Sequence, residues 1–167
     1  MNDNNKQTAI ICGFPGSGKT TLAQILRKKY PNVTFVDSEQ LIIDKKTFPK
    51  SYVDKIQSYK GKVDLIIASS NFQVLDELEN RNEWFTIFYP SEKRKKEFIE
   101  IYEARSDNEK MIEYLKFNFE TFVARYDKLD FANKKKLMNE GDFIGNNEDM
   151  LTLIEQLNKD NKKTKKK

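Results

Sequence analysis

An α/β fold is what this sequence predicts: a mostly parallel, five-stranded sheet with helices on both faces. Three observations carry that expectation. Short apolar runs of strand length alternate along the chain with stretches of helical periodicity. The first run, Ala9-Ile10-Ile11-Cys12, leads at once into Gly13-Phe14-Pro15-Gly16-Ser17-Gly18-Lys19-Thr20. That octet opens a helical pattern, and strand, loop and helix together are the setting that the phosphate-binding motif G-x-x-x-x-G-K-[ST] requires.

The elements follow in order. After the octet, Leu22, Ala23, Ile25 and Leu26 mark one helix face, Arg27, Lys28 and Lys29 suit its last turn, and Pro31 stops it. Val33 to Val36 reads as a short second strand that delivers Asp37. A helical or loop region from about 38 to 59 is interrupted at Phe48-Pro49. Val63 to Ala68 is a buried third strand, Phe72 to Glu79 a helix, and Trp84 to Tyr89 a fourth strand ended by Pro90. Ser91 then caps a helix carrying Phe98, Ile99 and Tyr102. Ser106-Asp107-Asn108-Glu109 has the spacing of a capping box for the next helix, whose apolar face runs from Met111 to Tyr126. A last short strand at about 142–144 and a helix from about Glu148 to Leu157 complete a single domain, 1–158. Right-handed βαβ crossovers are implied throughout.

Composition narrows the class. The chain has 167 residues, 38% hydrophobic and 34% charged, which suits one globular domain. No apolar run approaches the ~20 residues of a membrane span. The polar start, Met1 to Gln7, lacks the apolar stretch of a secretory signal, so a cytoplasmic location is expected. A lone cysteine, Cys12, reads as core. Residues 159–167 hold six lysines and one aspartate, a local +5 against a chain total of +4, and read as a disordered tail able to associate weakly with nucleic acid.

The chemistry gathers at the octet. Its glycines permit inward-pointing backbone N–H groups around a phosphate, and the following helix adds its dipole. Gly13, Gly16, Ser17, Gly18, Lys19, Thr20 and Thr21 are therefore the nucleotide-binding candidates, with Lys19 reaching β/γ-phosphates and the Thr20 hydroxyl holding Mg²⁺. Asp37 ends a strand on the ligand-binding edge of such a sheet. It is a candidate metal ligand or base, the alternative being a helix cap. Ser69, Ser70 and Asn71 project from the third strand as acceptor candidates, or as caps of the next helix. Phosphoryl transfer needs cations around the moving group, and the chain has five arginines. Arg94, Arg105 and Arg125 are the acceptor or lid candidates, with Arg105 also a catalytic one. Asp64 starts its strand and reads as structural. With no histidine in the chain, histidine acid–base catalysis and histidine metal sites are excluded.

On these residues the chain resembles the small P-loop kinases of the nucleoside monophosphate kinase type, compact bacteriophage-encoded members in particular. The likeness rests on the octet, Val36-Asp37-Ser38, Phe48-Pro49-Lys50-Ser51-Tyr52, Asp64 to Ser70, and Tyr89-Pro90 leading to Tyr102-Glu103-Ala104-Arg105. It implies a three-layer P-loop kinase fold with a helical lid at about 91–110 and an acceptor-binding region at about 38–60. It also implies ATP as donor, Mg²⁺, and a nucleotide or nucleoside acceptor. Two departures stand out. Residues 38–80 contain no arginine to grip an acceptor phosphate, only point charges such as Lys45, Lys46 and Lys50. The run from Gly13 through Asp37 is also similar to the kinase domain of polynucleotide kinases, where an aspartate at this offset acts as base toward a 5′-hydroxyl. Three readings follow: a kinase of (deoxy)nucleoside monophosphates, a hydroxyl-directed kinase using Asp37, and a non-catalytic nucleotide-binding module.

Overall fold

Every strand of the central sheet runs parallel, in the order β2-β3-β1-β4-β5, in a computed structural model that describes residues 6–41, 44–105 and 107–165. The strands are β1 (Ala9–Gly13), β2 (Phe35–Val36), β3 (Leu65–Ser69), β4 (Thr86–Pro90) and β5 (Asn133–Leu137). The helices are α1 (Lys19–Lys29), α2 (Lys50–Tyr59), α3 (Phe72–Asn80), α4 (Lys95–Ala104), α5 (Glu109–Asp127) and α6 (Glu148–Lys165). Single 3₁₀ turns occupy Ser38–Leu41, Lys45–Thr47, Glu92–Arg94 and Ile144–Asn146.

Because side chains alternate across a strand, consecutive apolar residues build two cores rather than one. Ile10, Cys12, Ile66, Ala68, Ile87 and Tyr89 face α2, α3, α4 and α5, and there they join Phe14, Phe98, Phe119 and Tyr126. Ile11, Leu65, Ile67 and Phe88 face α1 and α6, packing on Leu22, Leu26, Met150 and Ile154. The chain winds from β1 to one side and then crosses to the other, so the sheet divides at the carboxyl end of β1. Ligands of open α/β sheets bind at that switch point.

Three expectations are corrected. The last strand is not at 142–144 but at Asn133–Leu137, paired in register with Thr86–Pro90. Its sequence, Asn-Lys-Lys-Lys-Leu, does not read as a strand because it is a sheet edge, where lysines are tolerated and discourage pairing with other chains. Lys135 pairs with Asp149, and Lys136 with Asp127 and Glu92. Phe143 and Ile144 are apolar for another reason: Ile144 is fully buried under the phosphate loop, and its N–H donates to the Ser17 carbonyl at 3.0 Å.

The second correction concerns the cap of α5. Asn108 fills it, its Oδ1 accepting from the N–H groups of Lys110 and Met111, while the proposed capping residue Ser106 lies outside the described residues. The third concerns the lysine-rich end. Residues 159–165 are not a disordered tail but the last turns of α6. Burial of Met150 and Ile154 anchors the helix, and propagation from an anchored start costs little. The Asn161 amide then ties those turns down, donating to the Asn32 carbonyl at 2.7 Å and to Asp64 Oδ2 at 2.9 Å. Residues 166 and 167 lie outside the described residues.

Asp64 is structural, as expected. Its carboxylate accepts from the Thr34 N–H and hydroxyl and from Lys6, besides Asn161, which joins the amino ends of β2 and β3 to α6.

Candidate nucleotide-binding site

The octet leaves β1 at the middle of the sheet and wraps back on itself before α1 begins. The Phe14 N–H donates to the Phe88 carbonyl of β4, and the Ser17 N–H closes a turn on the Phe14 carbonyl. Gly18 precedes α1 with φ of 103°, a left-handed conformation that side-chain-bearing residues rarely adopt. Gly16 is needed for space as well as for its φ of 85°, since a Cβ there would lie 2.9 Å from the Tyr102 ring.

Lys19 sits inside this cradle. Its Nζ donates to the Gly13 carbonyl at 2.9 Å. Burial, with Arg105 adding repulsion, holds its pKa below the ordinary lysine range. The thiol of Cys12 beneath it is pushed up to about 12 by complete burial, so it is neutral at physiological pH and supplies no counter-charge. Ser17 is fully buried, its Oγ included, and that oxygen has no hydrogen-bond partner among the described residues, a standing cost of ~1–3 kcal/mol within the loop.

Beside the loop opens a cavity of about 570 Å³, lined by Gly16, Gly18, Lys19, Thr20 and Thr21 and, across from them, by Ile101 and Arg105 of the α4 end and by Phe143, Gly145 and Asn146. Gln24 and Ile25 of α1 complete it. This size suits a nucleotide-sized ligand. The structure therefore brings Arg105 to the loop candidates. Its guanidinium lies 5.5 Å from the centre of the Tyr102 ring and pairs with Asp107 at 2.6 Å. Tyr102 is in turn fastened to the loop, its hydroxyl donating to the Pro15 carbonyl at 2.6 Å.

The other candidates fall outside the cavity, each for a visible reason. Arg94 is 4% exposed and faces inward. It makes a bidentate pair with Glu97, donates to the carbonyls of Leu137 and Asp142, and stacks on Phe98 and Phe143. Arg94 thus pins α4 to the chain after β5 and is not among the residues lining the cavity. Asp37 is not among the residues that line the cavity. Val36, which precedes it, is level with Ile66 and so with Ile10, three residues or about 10 Å short of Gly13 along the strand. Its carboxylate accepts from Arg27 at 3.0 Å, while Arg27 also covers the Phe35 ring.

Ser69, Ser70 and Asn71 act locally. Asn71 caps α3 by accepting from Gln73, Ser69 Oγ accepts from the Asn71 N–H, and Ser70 accepts from the Tyr126 hydroxyl. Arg125 lies 3.9 Å over the Phe72 ring, beside that turn, and pairs with Asp76 at 3.6 Å.

Among the described residues no group of three or more acidic, cysteine or histidine side chains converges to hold a metal. The hydroxyl donors at the loop, with phosphate oxygens and water, suit Mg²⁺, which retains waters and is bound largely through substrate phosphates. Sequence reasoning missed the cavity's far wall. Phe143, Gly145 and Asn146 read as a strand and its end. Only the glycines at 141 and 145, bracketing the segment, signalled a turn.

No helix among the described residues is long and apolar enough to cross a membrane. A family model described as ABC transporter matches residues 1–164. No curated protein matches the chain.

Proposed function

The chain belongs to the ABC transporter family, a family of P-loop NTPases that use ATP with Mg²⁺, and from that premise we propose that it is a phosphotransferase. It moves the γ-phosphoryl group of ATP to a small nucleotide-type acceptor, a (deoxy)nucleoside monophosphate in the first instance. One observation favours transfer over hydrolysis. The strand beside β1, β3, ends in Ser69 and continues Ser70-Asn71, so no carboxylate stands there to hold the metal or to orient an attacking water. Instead, one wall of the cavity is lined by Ile101 of α4 and by Arg105, which follows that helix.

The residues divide the work simply. Amides of the octet and Lys19 hold the phosphates. Arg105, held in place through Tyr102, supplies positive charge where the transferred group becomes electron-rich. Mg²⁺, held by Thr20 and phosphate oxygens, would supply charge neutralisation. Ile101 and Phe143 keep water from the donor, which matters because a kinase must not hydrolyse it. A phosphate acceptor needs positioning more than a base, so the absence of Asp37 from the cavity accords with the monophosphate reading.

The test is Mg-dependent ADP release from ATP across ribo- and deoxynucleoside monophosphates, nucleosides and 5′-hydroxyl oligonucleotides. Stimulation by a monophosphate is the expected result. ADP release that no acceptor alters would make the protein an ATPase, and labelling of the oligonucleotide alone would make it a hydroxyl-directed kinase. Truncating Arg105 to alanine should lower kcat by ~10³-fold, as loss of a transition-state arginine does elsewhere, with ATP affinity changed less than tenfold. Equal loss in both would assign Arg105 to ground-state binding.

A further inference from the structure

The lysine-rich end of the chain, being helical, has a fixed place in the fold. α1 and α6 both start beside the turn at Ile144–Asn146 and run along the same sheet face. They also finish together, because Asn161 of α6 bonds to the carbonyl of Asn32, just beyond α1, and to Asp64 at the amino end of β3. Two helix ends therefore gather Lys28, Lys29, Lys159, Lys162 and Lys163 at the amino-terminal edge of the sheet, the edge opposite the nucleotide cavity. Lys62, two residues before Asp64, stands at the same edge.

All six side chains are exposed, and none makes an ion pair among the described residues. The acidic groups nearby do not cancel them. Asp64 is buried and already bonded to Lys6, Thr34 and Asn161, Asp160 accepts from Gln156, and Glu155, one turn before Lys159, offsets a single charge, so lysines remain in excess. Cations at helix C-termini complement the dipole, which accounts for one or two per helix. It does not account for six lysines without an ion pair among the described residues, brought to one edge from three separate segments.

We propose that this edge is a docking surface for nucleic acid, which it engages through the phosphate backbone without reading sequence. Lysine presents a point charge suited to phosphate oxygens. Of the exposed large hydrophobic residues, Met111, Tyr114, Phe117 and Met138 lie elsewhere in the fold, while Trp84, two residues before β4, shares the amino-terminal edge but packs edge-on to Phe131, so the lysine surface of α1 and α6 itself lacks an apolar wedge. The same lack argues against an anionic membrane, where a surface helix inserts an apolar face, for the apolar side of α6 is spent on the core. Docking here leaves the nucleotide cavity open, so the two sites are independent.

The experiment is fluorescence anisotropy of the full chain with a labelled oligonucleotide of mixed sequence, titrated with salt. Binding is expected at 50 mM salt, with affinity falling ~100-fold by 200 mM, the slope that about four phosphate contacts give. The triple variant Lys159→Glu, Lys162→Glu, Lys163→Glu should lose that binding at least tenfold while keeping its thermal midpoint and its affinity for ATP. A milder triple glutamine variant, which removes charge without adding it, should fall between the two. No binding at 50 mM salt, binding that the folded variants retain, or binding to phosphatidylserine vesicles in preference to the oligonucleotide would each overturn the proposal.

Discussion

Replacing Lys19 with methionine is expected to weaken ATP binding by at least ~100-fold, measured by calorimetry, while leaving the unliganded protein no less stable than before. Loss of binding follows from removing the one cation inside the phosphate cradle, in a setting where charge-assisted bonds are strong. Retained stability follows from the pKa. Burial depresses the Lys19 pKa in the folded chain relative to its ordinary value of 10.5. Between the depressed value and 10.5 the unfolded chain therefore binds more protons than the folded one, and stability rises with pH through that window. Below the window the charged, buried ammonium is a standing cost that methionine removes. A clear drop in the thermal midpoint of the variant at pH 7 would show that the Lys19 bond to Gly13 outweighs its desolvation. For the same reason, the ATP affinity of the unaltered protein should decline with rising pH at a lower pH than an ordinary lysine, at 10.5, would allow. An affinity flat to pH 10 would contradict the burial argument.

The second large effect belongs to Phe14, a residue of the phosphate loop that never reaches the ligand. Its ring is fully buried and meets Phe119 and Tyr126 edge-on at centroid distances of 5.6 and 5.8 Å, with Phe98 at 6.2 Å. Phe14→Ala should destabilise the protein by ~3–5 kcal/mol, the usual cost of emptying a large aromatic site. At about 2–4 °C per kcal/mol for a chain of this size, the thermal midpoint drops by roughly 10 °C. ATP affinity should fall with it, because the ring seats the loop between α4, α5 and the sheet. Phe14→Leu, which keeps most of the volume, should cost under about 1.5 kcal/mol and preserve binding. If Phe14→Ala bound ATP as tightly as the unaltered protein at a temperature where both are folded, the loop would owe its shape to its backbone alone.

These two residues also show how far a sequence reading reaches. The loop was legible because its information is contiguous: glycines, lysine and threonine act through backbone conformation and near neighbours, in a strand-to-helix setting that local periodicity reveals. Four of the five strands were legible for a related reason, since buried parallel strands are continuously apolar. The strand at Asn133–Leu137 was not, because an edge strand takes its partner from across the sheet and its lysines from the need to avoid further partners.

Arg94 and Arg105 make the contrast within eleven residues. Both are arginines in a basic, helical stretch, and nothing in their spacing says which one meets solvent. Stacking on the Phe98 and Phe143 rings turned Arg94 inward onto Glu97 and two carbonyls, whereas the Tyr102 bond to Pro15 carried Arg105 to the cavity. Asp37 follows the same logic, since two-residue pairing of β2 and the reach of Arg27 set its position. By itself, then, the sequence determined the α/β class, the phosphate-binding loop and the nucleotide chemistry that loop serves, all of them consequences of local conformation. The tertiary structure alone decided the cavity's far wall, the assignment of the arginines and the placing of the lysine-rich helix end, because each depends on strand register and on contacts between residues distant in the chain.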